Sequence, residues 1–366
     1  MNKNHYCVIM AGGIGSRFWP LSRTEKPKQF VDILGVGKTF IQMTFERFAP
    51  IIPTENFVVV TGEVYKDLVL EQLPQLKEDQ VLLEPMRRNT APCLAYAAYK
   101  LKKQNPDAVM VVTPADHLIL DTNTFADVMQ QSLKHAEEHN HLLTVGITPS
   151  FPSTGYGYIE VEDTEVSFSK VTSFKEKPDY NTAMQFIADG NYRWNSGMFV
   201  WSVKAIDEAM QSYLPAVSEL FQSAEQYYYT PDEQVKVNKV YEESESISID
   251  YGIMEKADNV YVTSADFGWS DLGTWTSLYE QSSKDKHDNV LSGEEILATD
   301  TENCFVKQLN PNKRVVVDGI KDLLVVDTPD VLLICDRTDE DHVKRVIDFA
   351  TSSQNRDKVQ GIRNKK

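Results

Sequence analysis

Three closely spaced glycines followed by four basic residues form the part of this chain best suited to bind phosphate. The glycines are Gly12, Gly13 and Gly15, and the basic residues are Arg17, Arg23, Lys26 and Lys28. Glycines let backbone N–H groups approach a phosphate without an intervening Cβ, and basic side chains supply counter-charge. A strand–turn–helix connection with a solvated basic face would contain the same residue types. Because four basic residues lie within a dozen positions of a very acidic chain, the segment favours a polyphosphate site.

Two better-known phosphate motifs do not fit this segment. The dinucleotide fingerprint Gly-x-Gly-x-x-Gly would need a glycine where Phe18 stands. Gly37-Lys38-Thr39 matches the end of a P-loop, but the first glycine of that motif would fall at Asp32. A carboxylate at that position would repel a triphosphate, so neither motif explains the segment.

Two aspartates are candidate metal ligands because each follows an apolar run that predicts a strand. Asp116 follows the run 109–112, and Asp271 lies in a glycine-bounded turn after the run 260–263. Mg²⁺ takes one or two carboxylates alongside substrate phosphates. Capping of the following helix would also explain either aspartate, and Asp266 could replace Asp271. Together with the basic segment, the two aspartates favour a metal pair.

Two further segments carry polar groups at predicted strand ends. In Phe-Lys-Glu-Lys-Pro at 174–178, strand alternation predicts Lys175 and Lys177 on one face and Glu176 on the other. The carboxamide of Asn195 lies between bulky apolar residues, where it could bind sugar hydroxyls. Each segment by itself favours a structural role over a functional one.

The elements that must position these residues alternate between strand and helix through residues 1–285. Predicted strands are Tyr6–Met10, Phe57–Thr61, Val81–Leu83, Val109–Val112 and Leu142–Gly146, and predicted helices are Phe40–Phe48, Lys66–Leu73, Ala91–Lys103 and Phe125–His139. This alternation predicts an α/β domain with a Rossmann-like, mixed but mainly parallel sheet. Ligands of such sheets bind beyond the carboxyl ends of the strands, where the glycine segment, Thr113–His117 and Glu84–Thr90 fall.

Residues 286–366 predict a second, smaller domain made of short strands. The predicted strands are Ile296–Thr299, Cys304–Gln308, Val315–Asp318, Leu323–Asp327 and Val331–Cys335. Their even spacing, without helices between them, predicts a β-helix-like domain. An amphipathic helix over Asp339–Ala350, with Asp339 as its N-cap, is expected to close it.

Composition excludes several classes of protein. The net charge of −17 over 366 residues argues against a nucleic-acid binder and against a protein of anionic membrane surfaces. The N-terminus lacks the apolar region of a signal peptide, and no apolar run approaches the roughly 20 residues of a membrane span. The four cysteines are too widely spaced for a disulfide framework or a zinc site. We therefore expect a cytoplasmic protein.

Together these segments resemble the sugar-nucleotide pyrophosphorylases, in particular the branch that makes GDP-mannose. The matching motifs are the glycine-rich signature at Ala11–Phe30, Thr113–His117, Gly155–Ile159, Phe174–Pro178, Trp194–Phe199, Ser248–Tyr251 with Glu255-Lys256, and Gly268–Gly273. The resemblance covers nearly the whole chain. It implies a Mg²⁺-dependent transfer of GMP from GTP to mannose 1-phosphate, which forms GDP-mannose and pyrophosphate. It also implies that the protein is a homodimer. Long members of the family append a phosphomannose isomerase domain, so only the transferase activity is expected here.

The resemblance also implies a role for each matching residue. The catalytic residues would be Arg17 and Lys28. Nucleotide-binding residues would be Gly12, Gly13, Gly15, Pro85, Arg88 and Asn89; residues for the sugar phosphate would be Gly157, Glu176, Lys177 and Asn195; and the Mg²⁺ ligands would be Asp116 and Asp271. Many family members carry glycine where Arg87 stands, so the base contact there is open.

Three alternatives remain open from the sequence. The same fold could use another nucleotide or another sugar 1-phosphate, because base choice rests on few contacts. A catalytically silent sugar-nucleotide sensor would have no need of a metal pair, so the charged residues argue against it. A metal-dependent glycosyltransferase would usually show Asp-x-Asp at a strand end, and Asp116-His117-Leu118 does not supply it.

Overall fold

The chain alternates between strands and helices as far as residue 281 and continues mainly in short strands. The computed structural model describes residues 1–13 and 16–352. The strands are β1 His5–Met10, β2 Phe57–Gly62, β3 Val81–Glu84, β4 Val109–Pro114, β5 Leu118–Ile119, β6 Leu142–Ile147, β7 Tyr158–Val161, β8 Ser169–Lys175, β9 Tyr192–Ser202, β10 Val260–Ala265, β11 Trp269–Ser270, β12 Val290–Ser292, β13 Ile296–Thr299, β14 Phe305–Gln308, β15 Val315–Asp318, β16 Leu323–Asp327 and β17 Leu332–Asp336. The helices are α1 Phe40–Phe48, α2 Lys66–Gln72, α3 Thr90–Gln104, α4 Thr122–Glu138, α5 Tyr180–Asp189, α6 Val203–Tyr213, α7 Pro215–Ser223, α8 Glu233–Glu243, α9 Trp275–Gln281 and α10 Glu340–Thr351. Within the described ranges, no helix combines the length and the apolar character needed to cross a membrane.

Packing divides the chain into two compact units. The first contains Met1–Gly12 and Ile41–Asp271, and the second contains the described residues of 13–40 and those from Leu272 onward. The segment with the basic residues is therefore grouped with the C-terminal strands. The domain boundary expected at 285/286 stays a prediction.

The first unit is built on a large mixed sheet with the strand order β3-β2-β1-β4-β9-β6-β10-β8-β7. Strands β3, β2, β1 and β4 are parallel to one another, and β6 is parallel to β10. In contrast, β9 runs antiparallel to β4, β6 and β7, and β8 runs antiparallel to β7 and β10. The α/β character and the mixed sheet are confirmed, but the expectation of mainly parallel pairing is not.

Apolar strands explain why the parallel part lies in the interior. The central residues of β1 and β4 are buried, as expected for an α/β sheet that is covered on both faces. Helix α3 is buried from Ala91 to Leu101, which matches its alanine-rich sequence. The predicted bounds of these early strands and helices are confirmed to within about three residues.

The carboxyl ends of the parallel strands lie at one edge of the sheet. Met10 pairs with Pro114 across β1 and β4, and Gly62 pairs with Glu84 across β2 and β3. The amide of Ala115 donates to the carbonyl of Met10 at 3.0 Å, which keeps the chain in register past the strand ends. Gly12, Glu84 and Asp116 therefore leave the sheet at the same edge, as expected.

The second unit contains a stack of short parallel strands. Strand β12 pairs with β14, β14 pairs with β16, and β13 pairs with β15, all in parallel. Strand β17 ends the stack because it runs antiparallel to β16. Small apolar side chains fill the interior: Cys304, Val306, Val317 and Val325. The predicted closing helix is confirmed as α10, and the carboxylate of Asp339 caps it by accepting from the amide of His342.

Candidate active site

A short two-stranded ladder brings the two predicted metal ligands to one place. Strand β11 runs antiparallel to β5, with Trp269 opposite Ile119 and Ser270 opposite Leu118. Continued by one residue, this register puts Asp271 level with His117, next to Asp116. Both aspartates are half-buried. The ladder thus places the backbones of two aspartates that are 155 positions apart in the sequence near each other.

Aromatic side chains hold this pair of segments in position. The indole N–H of Trp269 donates to Nδ1 of His117 at 3.2 Å, and the hydroxyl of Tyr156 donates to Oδ1 of Asp271 at 2.7 Å. The ring of Tyr156 also lies edge-on to Trp269 and Trp194, with centroids 5.3 and 5.0 Å apart. The orientation of the Asp271 carboxylate is therefore fixed by a packed neighbour.

The donor set suits a hard cation that completes its coordination with substrate. Asp116 and Asp271 offer only carboxylate oxygens, which are the ligands of Mg²⁺. Among the described residues, no group of three or more His, Cys, Asp or Glu side chains could hold a metal ion. Two carboxylates suit an ion that completes its coordination with phosphate oxygens of a substrate. Asp266 is exposed, and its carboxylate accepts from the amide of Gly268 at 3.5 Å within its own turn.

Polar side chains meet at the turn that contains Gly157, which directly follows Tyr156. A Cβ on Gly157 would lie 2.5 Å from Oε2 of Glu176, so any larger residue there would displace the Glu176 carboxylate. The amide of Asn195 donates to the carbonyl of Gly157 at 2.8 Å. The structure thus brings together three residues that sequence analysis assigned to the sugar.

The carboxamide of Asn195 is oriented by a partly buried acid that sequence analysis did not select. Its Nδ2 donates to Oδ1 of Asp250 at 2.8 Å, and its Oδ1 accepts from the amide of Gly197 at 3.1 Å. Burial raises the pKa of Asp250 to about 6, and the negative charge of Glu176 acts in the same direction, against the hydrogen bond from Asn195. Asp250 lies in the family motif Ser248–Tyr251, and this motif is the sequence signal that could have identified it as a site residue.

Lys177 does not continue the strand as predicted. Strand β8 ends at Lys175, and Lys177 has a φ of +47°, in the left-handed region. This turn sends its ammonium back to Glu176, where Nζ lies 2.6 Å from Oε1. The expectation that Glu176 and Lys177 point to opposite faces is therefore wrong, because the alternation ends with the ladder. Lys177 remains 61% exposed, so it can move to a ligand.

The segment that follows β3 surrounds a second partly buried acid. A Cβ on Gly12 would lie 2.9 Å from Oε2 of Glu84, and Oε1 of Glu84 accepts from the hydroxyl of Tyr241 at 3.1 Å. Burial raises the pKa of Glu84 to about 7, against the hydrogen bond from Tyr241 and the charge of Arg87. Sequence analysis included Glu84 in this segment but gave it no role.

The three predicted nucleotide-binding residues of this segment have different surroundings. Pro85 is half-buried directly after β3. Asn89, with a φ of +65°, caps α3 by accepting from the amide of Thr90. Arg88 donates to the carbonyls of Tyr241 and Glu242 at 2.9 and 3.1 Å. Arg88 and Asn89 thus shape the segment around Glu84, and direct contact with a nucleotide stays a prediction for both.

In the second unit, the candidate basic residues differ in exposure. Arg17 is exposed, whereas Lys28 is 4% exposed and its Nζ lies 5.0 Å from the ring centre of Phe40 and 5.9 Å from that of Phe18. Gln29 donates to the carbonyl of Gly13 at 2.8 Å, which ties the glycine segment to Lys28. Gly15 lies outside the described residues.

Comparison with known proteins agrees with this geometry. The family model "Nucleotidyl transferase" matches residues 6–288. The chain belongs to this family. A second model, "MannoseP isomerase/GMP-like beta-helix domain", matches residues 294–349 and supports the β-helix-like interpretation of β12–β17.

Individual relatives cover most of the chain. The mannose-1-phosphate guanylyltransferase of Escherichia coli strain K12 is 39% identical over 94% of this chain and 73% of the relative. A crystal structure from Thermus thermophilus, described as a mannose-1-phosphate geranyltransferase, has 31% identity and a TM-score of 0.84, covering 95% of this chain and all of that one. A structure described as mannose-6-phosphate isomerase from Helicobacter pylori has 25% identity and a TM-score of 0.59 over 72% of this chain and 99% of that one. The nucleotidyltransferase fold is thereby confirmed.

Proposed function

We propose that this protein transfers GMP from GTP to mannose 1-phosphate, giving GDP-mannose and pyrophosphate. Membership of the nucleotidyltransferase family and the resemblance to named guanylyltransferases support the reaction class. The observation that carries the proposal is the position of Tyr156. Its hydroxyl binds Asp271, its carbonyl accepts from the amide of Lys177 at 3.2 Å, and the next residue is Gly157. One residue thus links Asp271 to the residues that are predicted to bind the sugar.

The reaction needs no protein nucleophile. The phosphate of mannose 1-phosphate is mostly a dianion at neutral pH, since its second pKa is about 6. One of its oxygens forms a bond to the α-phosphorus of GTP while the bond from that phosphorus to the bridging oxygen breaks, and pyrophosphate leaves. The protein then has to align the reactants and neutralise charge.

In this proposal, each group of residues supplies one of these needs. Asp116 and Asp271 would hold Mg²⁺, which would neutralise charge on the phosphate oxygens. Arg17 and Lys28 bind phosphates, and Lys177 leaves Glu176 to bind the sugar phosphate. The carboxylate of Glu176 accepts hydrogen bonds from mannose hydroxyls, and the carboxamide of Asn195 donates hydrogen bonds to them. Within the first unit, partial burial and the hydrogen bonds that hold Asp271 and Asn195 make their contacts stronger than they would be in water.

Glu84 is suited to select the base. A carboxylate only accepts hydrogen bonds, and guanine presents adjacent N1–H and N2–H donors, whereas adenine has no donor at N1. The Oε2 atom of Glu84 faces Gly12, the first of the nucleotide-binding glycines. We therefore assign Glu84 to guanine recognition, which would make GTP the preferred nucleotide.

The test is pyrophosphate release from purified protein with Mg²⁺. GTP, ATP, UTP, CTP and dTTP are each combined with mannose 1-phosphate and with glucose 1-phosphate, and mannose 6-phosphate is supplied separately to detect isomerase activity. We expect release with GTP and mannose 1-phosphate only. Release with another pair would change the assigned substrates, and isomerisation of mannose 6-phosphate without any release would reject the transferase activity. If no pyrophosphate is released but calorimetry still shows binding of GDP-mannose, a sensor would be favoured.

A further inference from the structure

Strand β14 of the C-terminal stack presents two different faces. Val306 points into the interior of the stack with Cys304 and Val325. Phe305 and Lys307 alternate with Val306 and so lie on the other face. All residues of β14 are nevertheless buried, so both faces are covered.

At Phe305, the outer face of β14 packs against Trp275 of α9, which in turn contacts the segment that carries the basic residues. The ring of Phe305 lies edge-on to Trp275 with centroids 5.6 Å apart, and Trp275 lies edge-on to Phe18 at 5.1 Å. The indole N–H of Trp275 also donates to the carbonyl of Trp19 at 3.2 Å. This aromatic chain connects β14 to the residue directly after Arg17.

Two residues farther along the same face of β14, Lys307 lies next to Gly35, in the turn that follows the basic segment. Its side chain is 2% exposed, and its Nζ donates to Oγ of Ser292 at 3.1 Å. The same Nζ lies 3.6 Å from the position of a Cβ on Gly35. Burial lowers the pKa of Lys307, while the negative charge of Asp32 acts in the opposite direction.

Asp32 organises the turn that Lys307 faces. Its carboxylate accepts from the amides of Gly35, Val36 and Gly37 at 2.7, 3.0 and 2.7 Å. Gly35 and Gly37 have φ values of +75° and +78°, which a side chain would strain. This turn begins four residues after Lys28.

An ammonium group is costly to bury when no carboxylate touches it, and methionine would fill a similar space without a charge. Packing alone therefore does not explain why a charged residue is buried at position 307. Electrostatic attraction to the nearby carboxylate of Asp32 does explain it. We propose that Lys307 is a positioning residue, which holds the Asp32 turn against β14 and thereby fixes Lys28 for phosphate binding. The kinetic part of this proposal rests on the proposed function.

The first test is hydrogen exchange on the unliganded full chain. In Lys307→Met, the amides within 32–37 should exchange at least tenfold faster than in the wild type, because the carboxylate that they bind loses its counter-charge. The matched control is Lys321→Met, which removes an exposed lysine of the same strand stack that pairs with Glu302 at 3.1 Å. Unchanged exchange in Lys307→Met would overturn the proposal.

Asp32→Asn provides a second route if Lys307→Met fails to fold, as checked by thermal melting. It keeps a side-chain oxygen for the turn but removes its charge, and should speed the same exchange. In the double variant, the two effects should be less than additive; full additivity would overturn the proposal.

The second test is kinetic. Lys307→Met should raise KM for GTP about tenfold and leave KM for mannose 1-phosphate unchanged, whereas Lys321→Met should change neither. An equal rise in both KM values would indicate general loosening and reject positioning. Because exchange is measured without substrate, it decides on Lys307 even if the wild-type protein releases no pyrophosphate, a result that would reject only the proposed function.

Discussion

In the first unit, the acidic residues of the candidate site are fixed by hydrogen bonds, whereas the second unit contributes cations, one of which is packed among aromatic rings. Asp271, Asp250 and Glu84 each accept from a neighbouring side chain at 2.7 to 3.1 Å. Lys28 lies between two phenylalanine rings. Carboxylates that bind a metal or hydroxyls need defined oxygen positions, while a cation that neutralises phosphates gains most from removal of water.

The largest expected effect tests the carboxylate side of this comparison. Asp116→Ala should lower kcat by a factor on the order of 10³ with the fold retained, because charge on the phosphates is then no longer balanced. Turnover is measured across a range of Mg²⁺ concentrations. Asp266→Ala is the control, since Asp266 is exposed in its own turn. A near-normal kcat for Asp116→Ala with the same Mg²⁺ dependence would remove Asp116 from the metal site.

The next effect tests the cation side. Lys28→Met keeps the contact with Phe18 and Phe40 but removes the charge, and should lower kcat/KM for GTP by a factor on the order of 10². Lys26→Met, at an exposed position two residues earlier, is the control and should have little effect. If the two variants behaved alike, the segment would act through its overall charge and the burial of Lys28 would have no special role.

A smaller effect concerns Lys177, the cation that the first unit contributes. Lys177→Ala should raise KM for mannose 1-phosphate about 30-fold, which corresponds to one lost hydrogen bond to a charged group. KM for GTP should stay unchanged. The comparison variant is Lys175→Ala, at the exposed last residue of β8. An effect confined to GTP would reverse the assignment of Lys177.

The smallest effect is the pH dependence of nucleotide binding. The pKa of Glu84 is raised to about 7, so this group is protonated in the folded protein below that pH and ionised above it. Because guanine needs the carboxylate, KM for GTP should rise roughly fivefold to tenfold as the pH falls from 8 to 6. Glu84→Gln cannot titrate and should show only the dependence due to the substrates. Parallel profiles for the two proteins would exclude Glu84 from guanine recognition.

Sequence alone predicted the elements well and their pairing less well. Apolar runs and caps located β1, β4, α1 and α10, because burial and capping act locally. The antiparallel insertion of β9 between β4 and β6 was not predicted, since period-2 alternation does not reveal strand direction. The grouping of the basic segment with the C-terminal strands depends on contacts between distant residues, which no local pattern reports.

The candidate site shows the same limit. Asp116, Asp271 and Asn195 were selected as candidates because they stand in recognisable motifs, but the groups that contact Asp271 and Asn195 were not selected. Tyr156 and Asp250 act through single hydrogen bonds across more than 50 positions of sequence. The turn at Lys177 was not predicted because lysine, as a residue type, does not indicate a positive φ.

The aromatic contact between Phe18 and Trp275 can form only late in synthesis, because its two residues are far apart in the sequence. A ribosome adds about 5 to 20 residues per second, so Trp275 follows Phe18 by tens of seconds, and β14 follows later. Asp116 and the early strands of the first unit can be assembled before the basic segment has the neighbours on which it packs, whereas Asp271 is added only four residues before Trp275. The nascent chain therefore completes the packing of the basic segment late, and a chain released early would lack these contacts.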